Sequence, residues 1–398
     1  MAHTPATDPI VIVGMSRTPM GGFQGDFTPL SAADLGAVAV KGALDNSGLS
    51  ADDIDEAIIG CVLPAGQGQA PARQAVLGAG LPQKVGCTTI NKMCGSGMRA
   101  AMMAHDTILA GSADIMVAGG MESMTNAPYL LPKMRGGARL GHGEVKDSMF
   151  LDGLEDAYDK GKLMGVFAEQ TAQHYQFTRE SQDDYAISSL DRANAAINKG
   201  YFKQEITPVT VKSRKGEVIY DTDEQPGKAR PEKIPTLRPA FAKDGTVTAA
   251  NSSSISDGAA ALIMMKQSDA EARGLSPLAK ITGHSTHAHA PEWFSTAPIG
   301  AIEKLYEKTG WTDKDVDLYE INEAFAVVTM AAMRDLGLDH DKVNIHGGAC
   351  AMGHPIGASG ARILVTLISA LKTHGKKRGI AALCIGGGEA TAMAVELM

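Results

Sequence analysis

Short apolar runs alternate with helical patterns along most of the chain. A helix is predicted from about Ser31, a residue type that suits an N-cap, to a stop at Gly48, and another from just after Cys94 to about Ala110. The runs typical of buried strands are residues 10–13, 57–62 and 115–118. Strands that alternate with helices predict a layered α/β fold with a largely parallel sheet covered on both faces.

The sequence contains an internal repeat. Residues 48–55 resemble residues 310–317, and residues 96–99 resemble residues 359–362, so the offsets are 262 and 263 residues. Two independent matches at nearly one offset predict two copies of one fold unit. In the second copy we therefore expect a helix that begins at about residue 359 and a strand at residues 380–385.

The segment from about residue 125 to residue 255 has no counterpart in the repeat. It is more polar, and its clearest element is a helix that begins after Thr178 and ends at Gly200. The apolar residues on one face of that helix are Ala186, Leu190, Ala193 and Ile197. We interpret the segment as an inserted loop domain, because long insertions often carry binding elements. The expected units are residues 1–124 with about 256–276, residues 125–255, and residues 277–398.

Composition narrows the classes of function. The 398 residues are 44% hydrophobic and 21% charged, with a formal net charge of −8, which is ordinary for a globular protein and unfavourable for nucleic-acid binding. The apolar stretches are short and broken by glycine, so no membrane-spanning helix is expected. Residues 1–9 lack the features of a signal or transit peptide.

The five cysteines are odd in number and widely spaced. Neither a C-x-x-C motif nor a zinc-ribbon spacing occurs, so a disulfide framework and a structural zinc site are not expected. Reduced thiols predict a cytoplasmic enzyme.

Cys94 is the first candidate for chemistry. It stands between turn-forming residues and a predicted helix, in the segment Asn91-Lys92-Met93-Cys94-Gly95-Ser96-Gly97. A thiol at a helix N-terminus lies at the positive end of the helix dipole, which lowers its pKa and favours the reactive thiolate. A buried core cysteine is the alternative, and position alone does not decide between the two.

Two further residues could serve a thiol. His354, held between Gly353 and Pro355 on a glycine-rich loop, is either a base that activates a thiol or a structural histidine of a turn. Cys384 ends the last apolar strand, and the glycines at residues 386–388 expose backbone N–H groups that could stabilise an oxyanion. A cysteine on a strand is nevertheless usually a core residue.

Asn322 follows a predicted strand at residues 317–321. At such a junction an asparagine either caps a helix or holds a water molecule. Both interpretations stay open at this point.

These motifs together resemble those of the thiolase family. They occur in the family's order and cover essentially the whole chain: Asn91-Lys92-Met93-Cys94-Gly95-Ser96-Gly97, Asn322-Glu323-Ala324-Phe325, Gly353-His354-Pro355-x-Gly357-Ala358-Ser359-Gly360 and Cys384-Ile385-Gly386-Gly387-Gly388. The resemblance implies the thiolase-like duplicated α/β/α/β/α layered fold with an inserted loop domain. The repeat and the insertion described above agree with it.

The resemblance also implies a mechanism. Cys94 attacks a thioester and carries the acyl group, while His354 takes the thiol proton and later helps to hold a thioester oxygen. Asn322 positions a water molecule in that same oxyanion hole, and the backbone N–H groups of Cys94 and Gly386 form a second hole. Cys384 removes a proton from the α-carbon of a second thioester, or returns it in the reverse reaction.

By the same resemblance, the inserted loop domain binds coenzyme A. The residues expected to contact the acyl group or the pantetheine are Leu154, Met164, Phe241, Ala249, Ser253, Ala324 and Phe325. The chain departs from the short-chain pattern at Leu163, where His is common, at Phe294, where Met is common, and at Glu389, where Gly or an apolar residue is common. These differences bear on acyl-chain preference rather than on the reaction class.

The expected reaction is the reversible Claisen condensation of two acetyl-CoA to acetoacetyl-CoA and coenzyme A, without a cofactor or a metal.

The alternative functions are a thiolase for longer 3-ketoacyl-CoA, a decarboxylating ketoacyl synthase and a non-catalytic CoA- or lipid-binding relative. Asn322 stands where such synthases tend to have a second histidine. Intact Cys94, His354 and Cys384 argue against a non-catalytic protein. The family further implies a homotetramer, with the stretch at residues 136–142 as a contact.

Three other patterns are weaker. His284-x-x-His287-x-His289 resembles metal-ligand spacing, but without an evident acidic partner a solvated loop is the preferred interpretation. The glycines at residues 21–25 lack the spacing of a nucleotide-binding loop. Cys350 is interpreted as a packing residue, with a role in shaping the pocket as the alternative.

Overall fold

The computed structural model describes residues 8–214 and 216–398 of the chain, which form strands and helices along most of their length. The strands are β1 Ile10–Arg17, β2 Gly21–Gly22, β3 Glu56–Gly60, β4 Gly86–Ile90, β5 Ile115–Ser123, β6 Tyr129–Leu130, β7 Lys146–Asp147, β8 Val209–Ser213, β9 Gly216–Tyr220, β10 Ser256–Lys266, β11 Ala279–Ala288, β12 Leu318–Ile321, β13 Arg378–Ile385 and β14 Glu389–Leu397. The helices are α1 Ala32–Ser47, α2 Pro71–Gly78, α3 Ser96–Leu109, α4 Met164–Tyr175, α5 Arg179–Asn198, α6 Gln267–Ala272, α7 Ala297–Thr309, α8 Ala326–Leu336, α9 Ala349–Met352 and α10 Ser359–Thr373. Residues 1–7, part of the stretch expected to lack a signal peptide, lie outside the described residues.

The main sheet repeats one strand order twice. Its strands lie in the order β4-β3-β5-β10-β1-β11-β14-β13-β12, with β2 beside β10. The run β1-β10-β5-β3 in the first half corresponds to β11-β14-β13-β12 in the second. The chain also enters the two halves in the same sequence of strands and helices. The duplication expected from the repeated motifs is therefore present in the topology.

The two half-sheets and their helices form five layers. α3 and α10 lie between the half-sheets, in one buried cluster that includes Ile12 and Met116 from the first half and Leu383 from the second. α1 and α2 cover the outer face of the first half-sheet, and α7 and α8 cover that of the second. This arrangement confirms the α/β/α/β/α fold class. Within the described ranges, no helix combines the length and apolarity needed to span a bilayer.

The expectation of a largely parallel sheet was wrong. β3 pairs in parallel with β4 and β5, and β12 with β13, but the central pairs are antiparallel. The reason lies in the connections. A tight turn at residues 386–388 joins β13 to β14, and a turn of that length allows only antiparallel pairing. β10 follows the long insertion and enters between β1 and β5 from the opposite end.

Local sequence signals place the helix ends where they are predicted. The Ser31 hydroxyl accepts a hydrogen bond from the Asp34 N–H at 3.1 Å, and the Asp34 carboxylate accepts one from the Ser31 N–H at 2.9 Å, which forms a capping box. α1 ends at Gly48 and α7 ends at Gly310, both in the left-handed conformation with φ of 76° and 72°. The repeated glycines thus terminate corresponding helices.

The insertion contains more regular structure than its sequence pattern predicts. Thr178 caps α5, and Ala186, Leu190 and Ala193 are buried on one face of that helix, as expected. α4 and the β8–β9 hairpin have no counterpart in the prediction, and the N-cap of α4, Leu163, has no side chain that could cap the helix. The boundaries of the three units stay a prediction.

Two glycines of the repeat set the distance between the central helices. A Cβ at Gly97 of α3 would lie 2.7 Å from the backbone nitrogen of Ala361, and one at Gly360 of α10 would lie 2.4 Å from that of Met98. Only glycine lets the two backbones meet this closely. Since α3 follows Cys94 and α10 follows the loop of His354, the contact brings these two residues to one place in the fold.

Replacing Gly97 or Gly360 by alanine is expected to lower the free energy of unfolding by about 2 kcal/mol or more. The backbone clash outweighs the roughly 1 kcal/mol that alanine usually adds within a helix. Urea denaturation measures the change. The control is Gly143→Ala, because a Cβ there meets no atom of the described residues within 4 Å. Unchanged stability of the Gly97 and Gly360 variants would contradict the close helix contact.

Candidate active site

Cys94 lies in a tight turn immediately before α3. Met93 has a left-handed backbone conformation with φ of 47°, and its N–H donates to the Asn91 side chain at 2.8 Å. The Ser96 hydroxyl donates to the Met93 carbonyl at 2.6 Å and accepts from the Lys92 N–H at 2.8 Å. These bonds fix the backbone on both sides of the thiol, so the sulfur has a defined position.

The sequence predicts that the helix N-terminus lowers the pKa of Cys94, but in the structure this pKa is raised. Burial raises the pKa of this thiol to about 11, although the backbone N–H groups of Gly386 and of Cys94 itself are directed at the sulfur and oppose the rise. The expectation was wrong because Gly95, not Cys94, is the N-cap of α3, and because removal from water outweighs the dipole. Cys94 therefore needs a base to remove its proton.

His354 has the orientation of such a base. Its Nδ1 lies 2.6 Å from the Ser359 hydroxyl oxygen, and that hydroxyl donates its single proton to the Pro355 carbonyl at 2.9 Å. Nδ1 must then carry the ring proton, which leaves Nε2 with a free lone pair. Nε2 is buried and has no hydrogen-bond partner in residues 8–214 and 216–398. Burial, with a smaller effect of the Arg362 guanidinium, lowers the pKa of His354 to about 3, so the ring is neutral at pH 7.

Asn322 lies beside the same ring and does not cap a helix. α8 begins at Ala326 with Phe325 as its N-cap, so the capping interpretation fails. The Asn322 Nδ2 is 3.5 Å from the His354 Nδ1. Its Oδ1 is buried and finds no partner in the described part of the chain. A buried carbonyl oxygen without a partner costs free energy, and a water molecule next to His354 would satisfy it.

Cys384 lies behind the cavity wall at the end of β13. Its side chain is 1% exposed and packs in one buried cluster with Phe325 and Met164. Burial first, and a negative charge on Cys94 second, raise the pKa of Cys384 well above its ordinary value. Phe325 and Met164 of that cluster also line the cavity, so Cys384 lies directly behind its wall.

The turn after β13 is tied to the turn of Cys94. The Gly386 N–H faces the Cys94 sulfur, and the Lys92 ammonium forms an ion pair with the Glu389 carboxylate. Glu389 is one of the departures from the short-chain pattern. Its carboxylate joins the two turns whose N–H groups point at the sulfur, which gives the departure a structural role.

One cavity of about 360 Å³ connects these residues. Cys94, His354 and Gly386 line it, whereas Asn322 and Cys384 lie against its wall. All the residues expected to contact substrate line it too, namely Leu154, Met164, Phe241, Ala249, Ser253, Ala324 and Phe325. The structure thus brings the motif residues and the substrate-contact residues together at one site, while their chemical roles stay predictions.

Aromatic rings form much of the cavity wall. Phe325 meets Phe241 and Phe294 edge to face, with ring centroids 5.9 and 6.3 Å apart. Leu163 also lines the cavity, so two departures from the short-chain pattern add apolar surface. Such a wall suits a small apolar group better than a charged one.

Glu122, at the end of β5, holds loops of the site in place, but the sequence analysis does not identify it as a site residue. Its buried carboxylate accepts hydrogen bonds from the N–H groups of Val62, Leu63 and Gly357 at 2.9, 3.1 and 2.8 Å. Burial raises the pKa of Glu122 to about 7, although these donors oppose the rise. The carboxylate thereby fixes the His354 loop to the first half-sheet. An acidic residue closing an apolar strand was the available signal.

Cys350 lies beside the Glu323 carboxylate. Its backbone N–H donates to the Glu323 carboxylate at 3.0 Å, which also accepts from the hydroxyls of Tyr185 and Ser189 on α5. Cys350 lines a separate cavity of about 320 Å³ beside Arg230. Glu323 therefore anchors α5 of the insertion to the loop that leads to His354.

Comparison with known proteins identifies the family. The profile of the thiolase N-terminal domain matches residues 10–268, and that of the thiolase C-terminal domain matches residues 275–397. The chain belongs to the thiolase family.

Named relatives agree with this assignment. The chain is 48% identical to an acetyl-CoA acetyltransferase of Allochromatium vinosum, over 98% of this chain and 99% of that protein. It is 49% identical to acetyl-CoA acetyltransferase 2 of Arabidopsis thaliana, over 100% of both chains. Among solved structures, the Acat5 thiolase from Ascaris suum in complex with coenzyme A superposes with a TM-score of 0.93 at 42% identity, covering 98% of this chain and 100% of that chain.

The neutral state of His354 predicts a dependence of stability on pH. Its folded pKa of about 3 lies below the ordinary 6.5, so the unfolded chain binds the proton first and stability is lost as the pH falls below 6.5. When the pH is lowered from 7 to 5, the free energy of unfolding should fall in both proteins. The fall should be about 2 kcal/mol smaller in His354→Asn than in the unchanged protein. Urea denaturation at both pH values measures the difference.

The matched control is His142→Asn, because the side chain of His142 is exposed. This control should lose as much stability as the unchanged protein. An equal pH dependence in His354→Asn and the control would mean that the ring is not held neutral.

Proposed function

We propose that this thiolase is an acetyl-CoA C-acetyltransferase, which condenses two acetyl-CoA to acetoacetyl-CoA and coenzyme A and reverses the reaction. One observation carries the proposal: Cys94 and His354, whose Nε2 has no hydrogen-bond partner in the described residues, line one apolar cavity, and Cys384 packs in the buried cluster that forms part of its wall. The names of the relatives and the coenzyme A complex of the Ascaris enzyme support the same acyl donor.

In the first half-reaction the acetyl group moves to Cys94. Nε2 of His354 takes the thiol proton as the sulfur attacks the thioester carbonyl of acetyl-CoA. The N–H groups of Cys94 and Gly386, which face the sulfur, are placed to bind the oxygen of the acyl group on it. The coenzyme A thiolate leaves and takes a proton from Cys384. The products are acetyl-Cys94, free coenzyme A, an imidazolium and a thiolate.

In the second half-reaction a carbon–carbon bond forms. The Cys384 thiolate removes a proton from the methyl carbon of a second acetyl-CoA, and the thioester oxygen gains negative charge. The His354 imidazolium and a water molecule held by the Asn322 Oδ1 stabilise that oxygen. The carbanion attacks acetyl-Cys94, and the Cys94 sulfur leaves with the proton of His354. Both thiols and the imidazole return to their starting states.

The electrostatics explain why the two thiols act in turn. A charge on Cys94 raises the pKa of Cys384, so a thiolate at Cys94 disfavours a second thiolate at Cys384. Acetylation removes that charge, and the imidazolium then favours the Cys384 thiolate. Formation of acetyl-Cys94 therefore favours the Cys384 thiolate that the second half-reaction requires.

The homotetramer and the cytoplasmic location stay predictions. The exposed apolar side chains of Leu131, Met134, Leu140 and Val145 flank or lie within the stretch at residues 136–142. Such a surface is typical of a contact between subunits.

The aromatic wall predicts a preference for short acyl chains. Thiolysis of acetoacetyl-CoA should have a kcat/KM at least about tenfold higher than that of 3-ketoacyl-CoA substrates several carbons longer. Phe294→Ala should narrow this ratio by enlarging the pocket, whereas Phe23→Ala should not, since Phe23 is an exposed residue outside the cavity. Steady-state rates with coenzyme A as the second substrate give the ratio of kcat/KM values for each protein.

Much better turnover of the longer substrates would replace the proposal with a fatty-acid thiolase. Coenzyme A binding without any turnover would indicate a non-catalytic relative.

A further inference from the structure

Three ligand-type side chains converge far from the catalytic cavity. His105 and Asp106 lie near the C-terminal end of α3, and His284 lies on β11 in the other half of the fold. The Asp106 Oδ1 is 3.0 Å from the His105 Nδ1 and 2.9 Å from the His284 Nε2. The three donor atoms all lie within 4.8 Å of one another.

The position of β11 explains which histidine takes part. Side chains alternate between the faces of a strand, so His284 points to one face and His287 to the other. The His287 ring lies against Gly300 of α7, and the His289 Nε2 lies 2.7 Å from the Trp293 carbonyl oxygen. The three histidines therefore do not form one site, and the expected solvated loop is wrong for His284 and His287, which lie on β11, whereas His289 follows the strand. The acidic partner missing from the sequence pattern comes from α3.

The separations suit a transition-metal ion. Zinc bonds to imidazole nitrogen and carboxylate oxygen at about 2.0–2.2 Å, so neighbouring donor atoms around the ion lie roughly 3 Å apart. The two imidazole–carboxylate separations have this size. The rings of His105 and His284 meet edge to face at 5.0 Å between centroids, which leaves both nitrogens turned toward the carboxylate. Two imidazoles and one carboxylate are a common zinc ligand set.

The site is open enough for a hydrated ion to enter. The Asp106 side chain is 55% exposed, while those of His105 and His284 are 15% and 17% exposed. A cavity of about 450 Å³ adjoins all three residues and provides room for water as a fourth ligand. Lys280 and Lys308 also line this cavity, and the Lys280 ammonium is paired with the Glu396 carboxylate at 3.0 Å.

We propose that His105, Asp106 and His284 form a binding site for a zinc-like divalent transition-metal ion. The ion would tie the end of α3, in the first half of the fold, to β11 in the second. α3 has 14 residues and is therefore about 21 Å long, and Cys94 precedes its opposite end. The site is thus distinct from the catalytic cavity and acts on stability rather than on the reaction.

The test is titration of the full-length protein with Zn²⁺ against a chromophoric chelator. The unchanged protein should bind one ion per chain at this site, and His284→Ala and Asp106→Asn should each weaken binding by at least about tenfold. The control His289→Ala should bind as the unchanged protein does, because His289 lies outside the cluster. Thiolase activity should be the same in all four proteins.

Cobalt distinguishes this site from the five free cysteines. Co²⁺ bound by two imidazoles and a carboxylate gives d–d bands without the thiolate charge-transfer band that a cysteine ligand would add. Zn²⁺ should also raise the thermal midpoint of the unchanged protein and of His289→Ala, but not of the two cluster variants. Circular dichroism checks that each variant folds, and His284→Gln replaces His284→Ala if the latter does not.

Three results would overturn the proposal. The first is no binding by the unchanged protein, which would leave the cluster as a hydrogen-bonded His–Asp–His group. The second is equal binding by the cluster variants and the control. The third is a thiolate charge-transfer band that accounts for all of the bound cobalt.

Discussion

The contact between α3 and α10 at Gly97 and Gly360 is the constraint on which the site depends. Both helices are buried between the half-sheets, and a Cβ at either glycine would collide with the partner backbone. The close approach places the turn of Cys94 next to the loop of His354. Glu122 then fixes that loop from the first half-sheet. The duplication therefore builds the geometry of the candidate site: each copy supplies one central helix, and the proposed catalytic residues lie where the N-terminal ends of these helices meet.

Much of this fold was predictable because repeated signals have local causes. The glycines that end α1 and α7, and the serines that begin α3 and α10, serve the same backbone function in both copies, so they recur at one offset. The pairing direction of the strands was not predictable from apolar runs, since the same run of apolar residues is compatible with parallel and with antiparallel pairing. The hairpin turn between β13 and β14 carried that information. Within the insertion, α5 was predicted from its Thr178 cap, but α4 was missed because it lacks a capping side chain.

The site shows a similar division. The residues proposed to carry the acyl group or move protons lie in motifs, so Cys94, His354 and Cys384 could be named as candidates from the sequence. Their protonation states could not be, because burial outweighed the helix dipole at Cys94. Glu122 was missed although it stands at the end of an apolar strand, since the sequence does not show that backbone N–H groups of two other loops are its partners. Sequence identifies the reacting groups, and structure supplies the reason for their reactivity.

The separate tasks of the two thiols are the central claim, and hydrogen exchange in D₂O tests them most directly. Cys384→Ala should still acquire an acetyl group on Cys94 from acetyl-CoA, detected by mass spectrometry. It should no longer exchange the methyl protons of acetyl-CoA for deuterium, which the unchanged protein does. Cys87→Ala, a change on β4 away from the cavity, should retain both activities. Methyl exchange that persists in Cys384→Ala, or loss of the acetyl group on Cys94 together with the exchange, would contradict the account.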